Sequence, residues 1–358
     1  MTTFVRHDNE ILIPTPGPPF QWNLVELSGL LVNSNAIGVI TRYRTSAGVT
    51  IVQTRETGTT PDLLSNKLIA EMYYTWATSL KGGTTIETRI DLDPTTPIEL
   101  FLIGEILPDD GAVLHDAPPT IPLVEPWLTW SDFQPTPIDG DVLADIGAVI
   151  IRSIGAGGQL GFRERASVDI EWSARWEGGA SWWIIGLDSN GFYQAFTGGK
   201  TNGNAFNILH EVGYIKKSPA NIVTILNPID MGLPVQLNFG VMDFTGLVPA
   251  DTKVVGGRMG NFSTPTNTAL RGYARNKNSA DDTHIDIQKG NTVSRHNQHL
   301  HMNLGADLQA EYETQEAQVD YAITWYERPS GQLIPDTPGV IEFESKSLQN
   351  VSFEPASL

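Results

Sequence analysis

Val168, Ile170, Trp172, Ala174 and Trp176 fall on one side of an alternating run whose other side holds Asp169, Glu171, Ser173 and Arg175. That is the period-two signature of a half-buried strand. The same pattern, or a short apolar run bounded by Gly, Asn and Pro, recurs at 180–187, 221–226, 235–244, 252–255, 269–275, 283–288, 299–304 and 319–327. Many short strands between turn residues predict a sandwich or jelly roll. Asn190-Gly191 adds a hairpin signal, since both central residues of a type I′ turn need positive φ. Nearer the N-terminus, 36–44 and 49–57 alternate like the arms of a hairpin around Ser46-Ala47-Gly48. Residues 85–93 and the almost wholly apolar 98–107 predict two more strands, the second long enough to sit centrally in a sheet.

One stretch predicts a helix instead. Thr60 fits an N-cap and Pro61 the first helical position; Leu64, Leu68, Met72, Trp76 and Leu80 recur every fourth residue, with Ile69 and Tyr73 beside them, and Gly82 ends the run. A second, short helix is expected within 141–153, although 148–154 alone also reads as a buried strand. The expected fold is mainly β, an antiparallel β-sandwich of jelly-roll type with one or two helices in the N-terminal half and extended terminal arms. Its divisions are a proline-rich arm at 1–25, a sheet-plus-helix domain at 26–125, a linker with a short helix at 126–165, an antiparallel sandwich at 166–328 and a tail at 329–358. No internal repeat is visible in the residues.

Composition narrows the function classes. The 358 residues contain no cysteine, which removes disulfides, thiolate catalysis and cysteine-ligated metals. No apolar run reaches the ~18 residues of a membrane helix, and the first twenty residues lack the apolar segment of a secretory signal. A net charge of -18 opposes direct nucleic-acid binding, which needs a basic face. The charge is also segregated. No Lys or Arg lies between Ile90 and Ile151, while Lys253, Arg258, Arg271, Arg275, Lys277, Lys289 and Arg295 outnumber nearby acids. Opposed faces of this kind would steer and register subunits; solvated, unpaired faces are the alternative.

Motifs for chemistry are sparse. Gly198-Gly199-Lys200-Thr201 ends like a phosphate loop, but Gln194 stands where its first glycine belongs. Gly155-Ala156-Gly157 lacks the correctly spaced third glycine of a dinucleotide site. His210-Glu211 would need a second histidine at 214, where Tyr214 stands. His284-Ile285-Asp286 and His299-Leu300-His301 each place two potential ligands on one strand face, and if those strands pair, His284, Asp286, His299 and His301 could hold Zn or Fe. The alternative is a set of surface histidines on a polar strand face. Asp109-Asp110 and Asp139-Gly140-Asp141 offer hard oxygen ligands for Ca between subunits, with solvated loop acids as the alternative. Trp172 and Trp176 could present a platform for sugar rings beside Asp169 and Glu171, which have a spacing compatible with a glycosidase pair. Burial of such aromatics in a sandwich core is the competing reading.

The H-x-H strand resembles the trimeric tips of some phage tail spikes and fibres, where one metal sits on the threefold axis. The whole chain, cysteine-free, acidic, rich in Gly, Thr, Asn and Pro, resembles virion structural proteins: a jelly-roll capsid subunit, or a decoration, baseplate or fibre component of a tailed phage. That resemblance implies location in the virion and self-assembly into a homo-oligomer through terminal arms and complementary charged faces. It also implies contact with other virion proteins and with a host-surface glycan. One departure bears on partners: residues 1–25 set Arg6 against Asp8 and Glu10, unlike the basic arms that package genomes. No enzyme activity and no required cofactor are expected. The alternative is a carbohydrate-binding or glycan-active protein with an aromatic-lined site.

Overall fold

The computed structural model describes residues 3–14, 20–45, 50–59, 66–68, 73–91, 98–108, 111–121, 129–156, 159–168, 179–198, 206–217, 221–261, 270–280, 285–288, 297–314 and 319–329. Among the described residues the regular secondary structure is almost entirely strand, paired antiparallel, and strands pair only inside three consecutive stretches. Block one holds β1 (Phe4–Ile13), β2 (Asn23–Glu26), β3 (Gly38–Thr45), β4 (Thr50–Glu56), β5 (Asn66–Leu68), β6 (Tyr73–Ser79), β7 (Thr85–Asp91) and β8 (Ile98–Ile106). Block two holds β9 (Ala112–Leu114), β10 (Thr120–Ile121), β11 (Trp130–Phe133), β12 (Ile146–Ala156), β13 (Gln159–Glu164), β14 (Gly179–Gly186), β15 (Tyr193–Gly198) and β16 (Phe206–Lys216). Block three holds β17 (Ile222–Asp230), β18 (Gln236–Asp243), β19 (Val254–Asn261), β20 (Leu270–Asn276), β21 (Ile285–Gln288), β22 (Asn297–Asn303), β23 (Gln309–Thr314) and β24 (Val319–Glu327).

Block one sets sheet β1-β8-β3-β6 over β2-β7-β4-β5, and block three sets β17-β24-β19-β22 over β18-β23-β20-β21. Counted within each block, both orders are 1-8-3-6 over 2-7-4-5. In block two, β9 and β10 share the first place beside β16, followed by β12 and β14, and the facing sheet runs β11-β15-β13. Each block has its own core between its sheets: Val39, Trp76, Ile86 and Leu102 in block one, Val149, Phe162, Trp183 and Ala195 in block two, Val255, Met302, Ala310 and Ile323 in block three.

The register repeats three times where the residues do not. Phe4 faces Ile106, Ala112 faces Ile215 and Ile222 faces Glu327. Further along the eighth strand, Ile40 pairs with Gly104, Ile150 with Gly213 and Gly256 with Trp325, and each of these is followed by a bulge that skips one residue. The skipped residues are Ile103, Val212 and Thr324. Two positions past the bulge on each third strand stands an arginine, Arg42, Arg152 or Arg258, and all three are buried. The outer face of each 1-8-3-6 sheet turns inward, so Phe4, Ile40, Ile106, Ile150, Ile184, Val212, Trp182 and Trp325 form one shared core between blocks. The three sixth strands, β6, β14 and β22, touch one another pairwise at its centre.

Volume is exchanged across the repeated pair. Blocks one and two set isoleucine opposite glycine, whereas block three sets Gly256 opposite Trp325, and a Cβ on Gly256 would lie 2.0 Å from the Trp325 ring. Gly256→Val is therefore expected to cost about 1–3 kcal/mol or more by overpacking. A urea unfolding midpoint equal to that of the parent chain would refute it.

Several expectations are corrected. The helix predicted over 60–82 is absent from its described part, which is β5 at 66–68 and β6 at 73–79. A spacing of four is also a multiple of two, so a stripe at i+4 shares a strand face as readily as a helix face, and Tyr73-Tyr74-Thr75-Trp76 has strong strand propensity. The short helix near 141–153 is a 3-10 turn at Leu143–Asp145 followed by β12. Neither expected hairpin pairs: β3 and β4 lie in opposite sheets, as do β14 and β15. At Asn190-Gly191 only Gly191 has positive φ, and Asp188 instead accepts the Asn190 and Phe192 N–H groups. Within the expected N-terminal arm, residues 4–13 form an edge strand of their own sheet. Residues 330–358 of the expected tail lie outside the described residues. Residues 98–106 do sit centrally, as expected, between β1 and β3.

Candidate functional site

The sixth strand of block three brings His299 and His301 to the shared core, in the places that Thr75 and Ala77 hold in block one and Trp182 and Ile184 in block two. Both are 1% exposed, which overturns the reading of surface histidines. The sequence suggested a polar face because Asn297, Gln298 and Asn303 flank them; the neighbouring blocks supply the cover.

Trp325 Nε1–H donates to His299 Nε2 at 2.8 Å, so the proton of the neutral ring sits on Nδ1. The His299 ring stacks on Trp325 and meets Trp182 edge-on at 4.2 Å between centroids. Its backbone N–H donates to Ser181 Oγ and its carbonyl accepts from Thr75 Oγ1, tying all three blocks together. His301 lies edge-on to Phe4 and Trp182, its carbonyl accepts from Arg6 Nη1, and its Nε2 is 3.1 Å from where a Cβ on Gly104 would stand. A Cβ there would also lie 2.7 Å from the Val5 carbonyl oxygen, closer than a side chain tolerates, so the position requires glycine.

Burial pushes the His299 imidazole down to about 3, and burial reinforced by the Arg152 charge does the same to His210. Burial, helped by the charge of Arg6, holds His301 well below its ordinary range. A folded-state pKa below the unfolded value of about 6.5 gives stability that is complete above that pH and lost as pH falls toward 3. Each such group contributes a slope of up to about 1.4 kcal/mol per pH unit. Unfolding free energy is therefore expected to fall steeply from pH 6.5 to 4, and His210→Phe to flatten that fall by about one proton's share. A pH-independent denaturant midpoint over that range would refute this.

Of the other metal candidates, His284 lies outside the described residues, and Asp286 is on β21, which pairs with β20 in a different sheet from β22. Among the described residues no three His, Asp or Glu side chains gather in a ligand cluster. Asp109 and Asp110 lie outside the described residues; Asp141 accepts from the Tyr214 hydroxyl and from Lys216 Nζ at 2.6 Å. Trp172, Trp176, Asp169 and Glu171 also lie outside them. Of the other aromatics of that region, Trp182, Trp183, Tyr193 and Phe196 are core and Phe192 is half-buried.

Buried charges at the seams between blocks went unpredicted. Glu327 occupies the position of Ile106 and Ile215 and accepts the backbone N–H groups of Thr3 and Phe4. Arg42 pairs with Glu10 and donates to the Tyr273 hydroxyl of block three. Arg152 crosses from block two to Glu56 of block one at 3.1 Å, donates to the Ala77 carbonyl and lies over the Trp76 ring. Glu105 accepts from Val32 N, Asn33 N, Asn33 Nδ2 and the His7 ring. An arginine inside an apolar run, as at Arg152, was the one available signal.

Elsewhere, burial and the neighbouring Asp188 charge raise Glu164 to about 7, beside Thr224. The basic surplus of block three is partly spent internally, Arg275 on Glu311 and Lys277 on Asp307. Among the described residues no helix is long and apolar enough to cross a membrane.

No family model matches the chain, and no curated protein matches it. Eleven chains of solved structures do. One belongs to the atomic structure of Sulfolobus Turreted Icosahedral Virus, is 12% identical, and is matched over 91% of this chain and 90% of that one. Its TM-score is 0.22, too low for the likeness to carry weight on fold or function.

Proposed function

We propose that the chain is a virion structural protein made of three tandem jelly rolls, which assembles as a homo-oligomer with other virion proteins. The observation that carries this is the strand order 1-8-3-6 over 2-7-4-5, complete in blocks one and three and matched by every described strand of block two. Double-sheet jelly rolls of this kind build viral capsid domains, and also lectins.

The proposed contacts differ from the terminal arms and charged faces that the sequence favoured. The N-terminal strand is spent in its own sheet and on block three, and part of the basic surplus is paired. A better candidate is the edge at β17 and β18, where no strand pairs among the described residues and Leu226, Val235, Leu237 and Val241 are exposed. A second copy is the proposed occupant, since such an edge strand invites pairing with another chain.

Light scattering and electron microscopy of the purified chain test the reading. A defined oligomer that Leu237→Asp with Val241→Asp dissolves is expected. A monomer at every concentration, together with specific binding on a glycan array, would replace assembly with the lectin alternative.

A further inference from the structure

Block one differs from its two sisters in what lies between its sheets. Register places Thr78 opposite Val39, where block two has Ile185 opposite Val149 and block three has Met302 opposite Val255. Likewise Thr41 stands where the others have Ile151 and Gly257. On the facing sheet, Thr88 lies between the core residues Ile86 and Ile90 with its register partner Thr54, which is two positions from Glu56. Period-two geometry therefore turns Thr54, Glu56 and Thr88 toward Thr78 and Trp76.

Thr54, Thr78 and Thr88 are no more than 1% exposed, and their hydroxyls have no hydrogen-bond partner among the described residues. Neither does Trp76 Nε1, nor Nε and Nη2 of Arg152. The Arg152 guanidinium enters this interior from block two, with Nη1 on Glu56 at 3.1 Å and its centre 4.7 Å from that of the Trp76 ring. Buried polar groups in folded proteins are nearly always satisfied, by ordered water or an ion where protein fails. Indole and guanidinium N–H groups can only donate, so what satisfies them must accept. Threonine in place of isoleucine or methionine also leaves space.

We propose that block one encloses a binding site for a small hydrogen-bond acceptor, a cluster of ordered waters or a halide ion, held by Thr54, Thr78, Thr88, Trp76 and Arg152. The site does not depend on the assembly reading. Because Arg152 comes from block two, an occupant ties the two blocks together, and its loss loosens their seam.

The first test is diffraction from crystals of the whole chain grown in sodium bromide. An anomalous peak within hydrogen-bonding distance of Arg152 and Trp76 identifies a halide site; non-anomalous density on the same groups identifies water. An empty space there overturns the proposal. The second is the Thr78→Val, Thr88→Val variant, which changes shape little. If the site is occupied, the variant loses ligands for the guest and Tm falls. If it is empty, two unpaired buried hydroxyls disappear, Tm rises, and the proposal fails. For a halide, bromide also raises the Tm of the parent chain more than that of the Thr78→Val, Thr88→Val variant.

Discussion

Deletion of residues 1–13 is expected to abolish cooperative folding rather than to release a folded subunit that cannot assemble. The deletion removes β1 from the edge of β8 and takes Phe4 from its contacts with Trp182 and Trp325. It leaves Glu327 buried without the Thr3 and Phe4 N–H groups, and Arg42 without Glu10. It also removes Arg6, which donates to the His301 carbonyl and the Tyr273 hydroxyl across the seam to block three. Removing one partner of a buried charge costs about 3–5 kcal/mol, and two such losses together with a lost strand exceed much of the usual 5–15 kcal/mol margin of a folded protein. Circular dichroism melts decide it. A truncated chain that stays soluble and melts in one sharp transition would show that the strand is a dispensable arm.

The second large effect is expected at Arg152. The pair with Glu56 is 1% exposed on both sides, and Arg152→Met leaves the carboxylate buried with Ser79 N as its remaining donor among the described residues. Loss of about 3–5 kcal/mol is expected from the urea midpoint. The double variant Arg152→Met, Glu56→Gln should recover a large part, because the penalty comes from the stranded charge rather than from a missing attraction. If the double variant is as unstable as the sum of the two single ones, the two residues are not coupled and the geometry of the seam is misjudged.

How much of this was legible in the residues depends on the range over which each signal acts. Strands such as 98–106 and 319–327 were visible because burial on one or both faces writes itself into adjacent positions. The sheet to which a strand belongs was not visible. In a 1-8-3-6 over 2-7-4-5 order most consecutive strands lie in different sheets, so a turn such as Asn190-Gly191 marks a change of direction without naming a partner. The threefold register was invisible for another reason: it is carried by hydrogen bonds and a bulge, while its side chains diverge, as at Thr75, Trp182 and His299. At the candidate site, the shared face of His299 and His301 followed from strand geometry. Their burial did not, since it is imposed by residues more than a hundred positions away in the chain, among them Trp182 and Phe4.

The exchange between Ile40 opposite Gly104 and Gly256 opposite Trp325 also bears on how such a centre can change. In a ring of identical subunits each substitution in a shared core arrives three times, and a tryptophan there would have to be accommodated in three copies. With the three sandwiches on one polypeptide, each site mutates singly, and a large residue in one can be offset by small ones in the others. Covalent linkage thus turns the shared core from a place where only symmetric solutions survive into one that can specialise, block by block.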